Sequence, residues 1–177
     1  MSKFHTQRPI YLLTKFALTT ALCSVSAIAA AEPAWRMDAR GAAGPVAMVE
    51  LPPQKGANRV AMLTFEYERR CDPLLTYATM KGRKFGAPEK QGRLPDSRLA
   101  GAVNGKKFSG PGAFTLYSNG LEIGLGVPNE MALIVLDEEV TSLSFTTPTG
   151  EEVPLPTRGL RKSADAAFKV CAQKVAP

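Results

Sequence analysis

Cysteine thiols, a histidine and a concentration of cations are the groups in this sequence whose chemistry could decide what it does. Cys71 follows Arg69 and Arg70, and adjacent cations lower a thiol's pKa toward the nucleophilic thiolate. A redox role needs a resolving partner, yet no Cys-x-x-Cys occurs, and Cys171 falls on an apolar stripe of the C-terminal segment. A structural Cys71–Cys171 disulfide is therefore expected, and two lone sulfurs make no metal site.

The single histidine, His5, lies in a segment that reads as an export signal. Residues 1–15 carry Lys3, Arg8 and Lys15 without an acid, residues 16–31 are an uncharged Ala/Ser/Thr/Leu stretch, and Ala29 and Ala31 suit signal peptidase. The uncharged stretch is too short and too weakly apolar for a permanent span, which takes about 20 strongly apolar residues. Cleavage after Ala31, with Ala29 as the alternative, leaves residues 32–177 in the periplasm or medium, where cysteines pair.

Loss of residues 1–31 removes every histidine. It thereby excludes Ser-His-Asp triads, Cys-His pairs, imidazole zinc ligands and imidazole proton shuttles. The Ser-x-x-Lys pairing of histidine-free acyl enzymes is also missing. Gly101 to Lys107 is the nearest approach to a phosphate loop, but it has three residues between its glycines and a lysine where Ser or Thr must hold the metal. Asp137-Glu138-Glu139 supplies carboxylates without favouring any pair, and a single Trp is little from which to build a sugar platform. The balance leans away from an enzyme, with no catalytic residue and no cofactor expected.

The cations remain. Between Lys81 and Lys107 stand eight basic residues and two acids, whereas residues 108–157 hold seven acids and no base. Lys81, Arg83, Lys84, Lys90, Arg93, Lys106 and Lys107 are the candidate site for an anionic partner. The competing reading is a solvated face that complements the acidic segment within the fold. Nucleic acid fits poorly, because export removes it and only Phe85 and Phe108 are present to stack on bases.

The elements that must position these residues are mostly strands. A chain 45% apolar and 21% charged is an ordinary folded domain. Residues 32–45 read as an irregular lead. Val46 to Leu51 reads as a strand closed by Pro52-Pro53, Leu74 to Met80 as another, and Arg59 to Tyr67 as the strongest. In that last strand Ala61, Leu63, Phe65 and Tyr67 share one face, and Thr64, Glu66 and Glu68 form a wet one. Residues 81–98 are thin in apolar residues and broken by Gly and Pro, so a long basic loop is expected there. Asn104-Gly105 and Asn119-Gly120 predict two-residue hairpin turns, the second more strongly. The apolar run Met131 to Leu136 and the pair Leu143 and Phe145 add strands. Leu160, Ala164, Ala167, Phe168, Cys171 and Val175 then recur at helical spacing, predicting a helix over 162–175 capped by Ser163.

The expected fold is mainly β. It is a small antiparallel sandwich or barrel-like domain of seven to nine short strands with one C-terminal helix packed on it. The function expected is that of an exported, non-catalytic binding or accessory protein that meets an envelope protein or an anionic envelope polymer. The alternatives are a component of an envelope assembly, secretion or transfer apparatus that uses strand pairing, and a histidine-free enzyme or thiol redox protein.

Overall fold

Alternating apolar residues and tight turns build two antiparallel sheets in the computed structural model, which describes residues 32–39, 41–95 and 99–176. Residues 1–31, which the sequence suggests as an export signal, lie outside the described residues. The larger sheet comprises β1 (Arg36–Asp38), β2 (Val46–Gln54), β3 (Ala57–Glu66), β4 (Asp72–Met80), β5 (Pro88–Leu94), β8 (Gly112–Tyr117) and β9 (Gly120–Gly126), in the order β1-β2-β3-β4-β9-β8-β5. The smaller one holds β6 (Ala100–Val103), β7 (Lys106–Ser109), β10 (Leu143–Thr146) and β11 (Glu152–Leu155), in the order β11-β10-β6-β7. Helices α1 (Asn129–Asp137) and α2 (Leu160–Val175) complete the described residues. The fold is thus mainly β with a C-terminal helix packed on the sheets, as expected.

Both sheets share one apolar core. Ala61, Leu63 and Phe65 of β3, Leu75 and Tyr77 of β4, and Ile123 and Leu125 of β9 face Val103, Phe145, Val153 and Leu155 of the smaller sheet, and the Tyr77 and Phe145 rings stack at 5.7 Å. Leu160, Ala164, Ala167 and Cys171 bring α2 into that core; the two alanines, fully buried, let the helix lie close to the strands. Phe168 is about a third exposed and meets Phe65 edge to face at 5.7 Å. Trp35 closes the end of the core: its backbone N–H donates to Arg158 O, and its carbonyl accepts from Ser163 Oγ at 3.0 Å.

The Cys71–Cys171 disulfide spans 100 residues and joins the β3–β4 turn to α2. The turn is a single 3-10 turn, Tyr67–Arg69, followed by Arg70 and Cys71 with φ of 55° and 69°. Two consecutive left-handed non-glycine residues are costly, and the bridge and the Cys71 N–H bond to Glu66 O at 2.8 Å hold the second one there. Lys174 lies over the Tyr67 ring at 4.3 Å, a second tie between helix and turn.

Several expectations are corrected. Eleven strands are present among the described residues, more than the seven to nine expected. Met131 to Leu136 belongs to helix α1, because Pro128 O accepts from the N–H groups of Met131 and Ala132 and Met131, Ala132, Leu133 and Leu136 are good helix formers; Leu133 stands 57% exposed where a buried strand would hide it. The basic loop is shorter than 81–98, since Pro88–Leu94 is the edge strand β5, and the irregular lead contains β1. β2 continues through Pro52-Pro53, where its pairing with β3 shifts register between Leu51 and Gln54, so no ladder N–H is required of the prolines. Tyr67 and Glu68 fall in the turn, outside β3. Helix α2 starts at Leu160, after Gly159 at φ 75°; Ser163 is therefore an interior residue bonded to Trp35, not the cap.

The Asn104-Gly105 turn forms as expected, with both residues at positive φ and Val103 paired to Lys106. The second hairpin is displaced by one residue. Tyr117 pairs with Gly120, so Ser118 and Asn119 make the turn, and Gly120 enters β9 where an added Cβ would collide with the Thr79 carbonyl oxygen.

Candidate functional site

The anionic-partner residues expected from the sequence fall on three elements in two sheets. Lys81, Arg83 and Lys84 sit together on the exposed β4–β5 connection. Lys90 and Arg93 are three residues apart on β5, hence on opposite faces of an edge strand exposed along most of its length. Lys106 and Lys107 point to opposite faces of β7, the edge of the other sheet. The fold therefore gathers the first three and separates the rest: β5 alone, at about 3.3 Å per residue, carries the chain roughly 23 Å away.

That connection is held in place by asparagine amides. Asn119 Nδ2 donates to Lys81 O and Lys84 O at 2.7 and 2.9 Å, and its Oδ1 accepts from Gly86 N at 2.6 Å. Asn58 Nδ2 donates to Gly82 O at 2.7 Å from the far side of the sheet. Phe85 stacks on Tyr117 with ring centroids 4.2 Å apart. Tyr117 Oη donates to Glu122 Oε2 at 2.9 Å, and burial followed by the Glu122 carboxylate pushes the Tyr117 pKa up. The basic segment is thus an ordered wall, with its entropy cost met within the fold. Lys81, Arg83 and Lys84 form no ion pair with any described residue.

The wall borders a groove of about 710 Å³ on the face of the larger sheet that points away from the core. Met48, Val60, Met62 and Met80 form its floor, Phe85 and Gly82 one side, and Arg36, Glu50 and Arg83 its rim. Register explains the floor. Met48 is paired to Met62 and Asn58 to Met80, and all of these lie opposite in phase to the core residues Ala61 and Leu63. The face of β3 expected to be wet is polar at its ends, at Asn58 and at Thr64 and Glu66; Val60 and Met62 make its middle apolar and half-buried. Their alternation with Arg59, Ala61 and Leu63 was a sequence signal for a strand apolar on both faces.

A second cleft, of about 470 Å³, opens between the core-side face of β3, β4 and β9 and the β10–β11 turn. Arg59, Tyr77, Thr79, Thr147 and Thr149 line it together with Leu121 and Ile123. Asp137, Glu138 and Glu139 are exposed at the end of α1, away from either cavity's lining. Among the described residues no three His, Cys, Asp or Glu side chains converge as a metal site, and no helix is long and apolar enough to cross a membrane. No protein-family model, curated protein or solved structure matches the chain, so the chemistry of these two cavities carries the functional argument.

Proposed function

We propose that this is an exported, non-catalytic accessory protein that docks an acidic, partly apolar segment of an envelope protein in the methionine-floored groove. The observation that carries the reading is the union of an apolar floor with an ordered cationic connection: Met48, Val60, Met62 and Met80 line the groove together with Arg83, and Lys81 and Lys84 neighbour Arg83 on the same exposed segment, none of the three cations ion-paired with any described residue. Methionine suits a surface that must fit extended side chains of varied shape, and the cations select and steer a negative partner. An anionic polymer would use the cations but gain nothing from the floor. Strand addition at β5 is disfavoured, because Pro88, Lys90 and Arg93 are the residues that protect a sheet edge. The Cys71–Cys171 bond speaks against a reactive thiolate.

Two measurements test this. The intact mass of protein recovered from the native host should begin at Glu32, or at Ala30 if cleavage follows Ala29; a mass that retains residues 1–29 would refute export by signal cleavage. A labelled synthetic peptide alternating Glu and Leu should bind with an affinity that falls as salt rises, while alginate should bind weakly. The triple variant Lys81→Gln, Arg83→Gln, Lys84→Gln should weaken the peptide about tenfold or more with an unchanged melting temperature, since exposed cations contribute roughly 0–1 kcal/mol each to stability. Alginate binding without peptide binding, or a triple variant that binds like the parent, would overturn the docking reading.

A further inference from the structure

We infer that the second cleft is a separate ligand site, shaped for a small monocarboxylate with an apolar body. Arg59 is half-buried at its mouth and forms no ion pair with any described residue. A guanidinium withdrawn from water normally gains a carboxylate, and here the only acid in the lining, Glu151, stays exposed and unpaired.

The fixed partners of Arg59 leave its binding end open. Nε donates to Tyr77 Oη at 2.8 Å, and the guanidinium carbon lies 5.6 Å from the ring centroid. Tyr77 is itself held by stacking on the fully buried Phe145. The two terminal nitrogens of Arg59 are thereby left for a bidentate carboxylate, and the Tyr77 hydroxyl, which accepts from Nε, keeps its own proton for a ligand oxygen. Thr147 Oγ1 and Thr149 Oγ1 lie 2.9 Å apart on the opposite wall, so the polar groups stand above an aliphatic floor of Leu121 and Ile123.

Volume and charge define the ligand class. A cleft of 470 Å³ falls within the range that holds small organic ligands, and a few polar groups over an apolar floor orient an amphipathic one. Lys55 and Glu151, both exposed in the lining, offset one another, which leaves the Arg59 charge to match a single carboxylate. Arg59 also lines the methionine-floored groove, but this site uses neither the methionine floor nor the 81–84 cations, so the triple variant of those cations separates the two readings.

Titration of the isotopically labelled protein with octanoate, followed by two-dimensional NMR, tests the inference, with octanol and octylamine as matched probes. Octanoate should saturate with a Kd below about 1 mM and shift the amides of Thr79, Leu121, Ile123, Thr147 and Thr149, with octanol and octylamine at least about tenfold weaker. Arg59→Gln should weaken octanoate about tenfold or more while leaving octanol unchanged. Thr149→Trp, at an exposed turn position, should abolish binding of every probe by filling the cleft, and it keeps the test intact if Arg59→Gln fails to fold. The lysine and arginine triple variant of the β4–β5 connection should bind octanoate like the parent. Equal affinity for octanoate and octanol, shifts confined to residues outside the cleft, or unaltered binding by Thr149→Trp would overturn the inference.

Discussion

Replacing both bridged cysteines by alanine should destabilise the protein by about 3–4 kcal/mol. The bridge closes a separation of 100 residues, and the loss of loop-closure entropy from the unfolded chain is then worth about 4.7 kcal/mol in the chain-entropy account. Part is returned, because Cys71, at φ 69°, is freed to leave the left-handed region, which costs about 1–2 kcal/mol for a residue with a side chain. In a domain of this size the net loss lowers the melting temperature by roughly 7–14 °C. Urea unfolding of parent and Cys71→Ala/Cys171→Ala, read by circular dichroism, measures both terms, since release of a constraint on the unfolded chain also raises the m-value. A third variant separates entropy from strain. Cys71→Gly/Cys171→Ala accepts φ 69° at no steric cost, so it should be more stable than the double-alanine variant by about 0.5–1 kcal/mol. A double-alanine loss below about 1 kcal/mol, or a glycine variant less stable than the alanine one, would refute the reasoning.

Two further outcomes follow from side chains that serve more than one partner. Asn104 Oδ1 accepts from Thr141 N at 2.8 Å and its Nδ2 donates to Glu139 O at 2.9 Å, so Asn104→Ala should cost about 1–3 kcal/mol in denaturant unfolding through loss of these bonds and of the residue best suited to φ 49°. Tyr117 has its pKa raised in the fold, so the folded protein holds that proton more tightly than the unfolded chain. The associated stability is complete below about pH 10 and declines as pH climbs from there through the folded value. Absorbance of the phenolate should show one late-titrating tyrosine that vanishes in Tyr117→Phe, and that variant should lose less stability than the parent above pH 10.

How much was legible depended on whether the relevant physics was local. Ala61, Leu63 and Phe65 announce β3 because a strand with one face in the core must alternate. Asn104-Gly105 announces its turn because both residues tolerate positive φ, and the stripe through Ala164, Ala167 and Cys171 announces α2 because its period is helical. β5 escaped because Glu89 to Arg93 is exposed, and an edge strand with no buried face has no reason to alternate. Helix α1 escaped because a short continuous apolar run has no period to distinguish helix from strand, leaving Pro128 as the deciding residue. The Asn119-Gly120 signal gave the hairpin but not its register, since Asn119 is spent on the backbone of residues 81–86 instead. Neither cavity was legible, because each is assembled from strands whose pairing is known only once the fold is: Met48 meets Met62, and Arg59 meets Tyr77, across hairpins.

The disulfide also fixes an order of events. A chain appearing from its amino end exposes Cys71 on a finished β3–β4 hairpin a hundred residues before Cys171 arrives on α2, the last described element. During that interval the early thiol stands beside Arg69 and Arg70, in the cationic setting that favours thiolate, and so remains ready to attack or be captured by an oxidising catalyst. Among the described residues Cys71 and Cys171 are the only cysteines, so one pairing serves both and needs no reshuffling. Closure then works as a record of completion: the bridge cannot form until the segment that makes the last described helix has been produced, and once formed it keeps that helix tied to the β3–β4 turn.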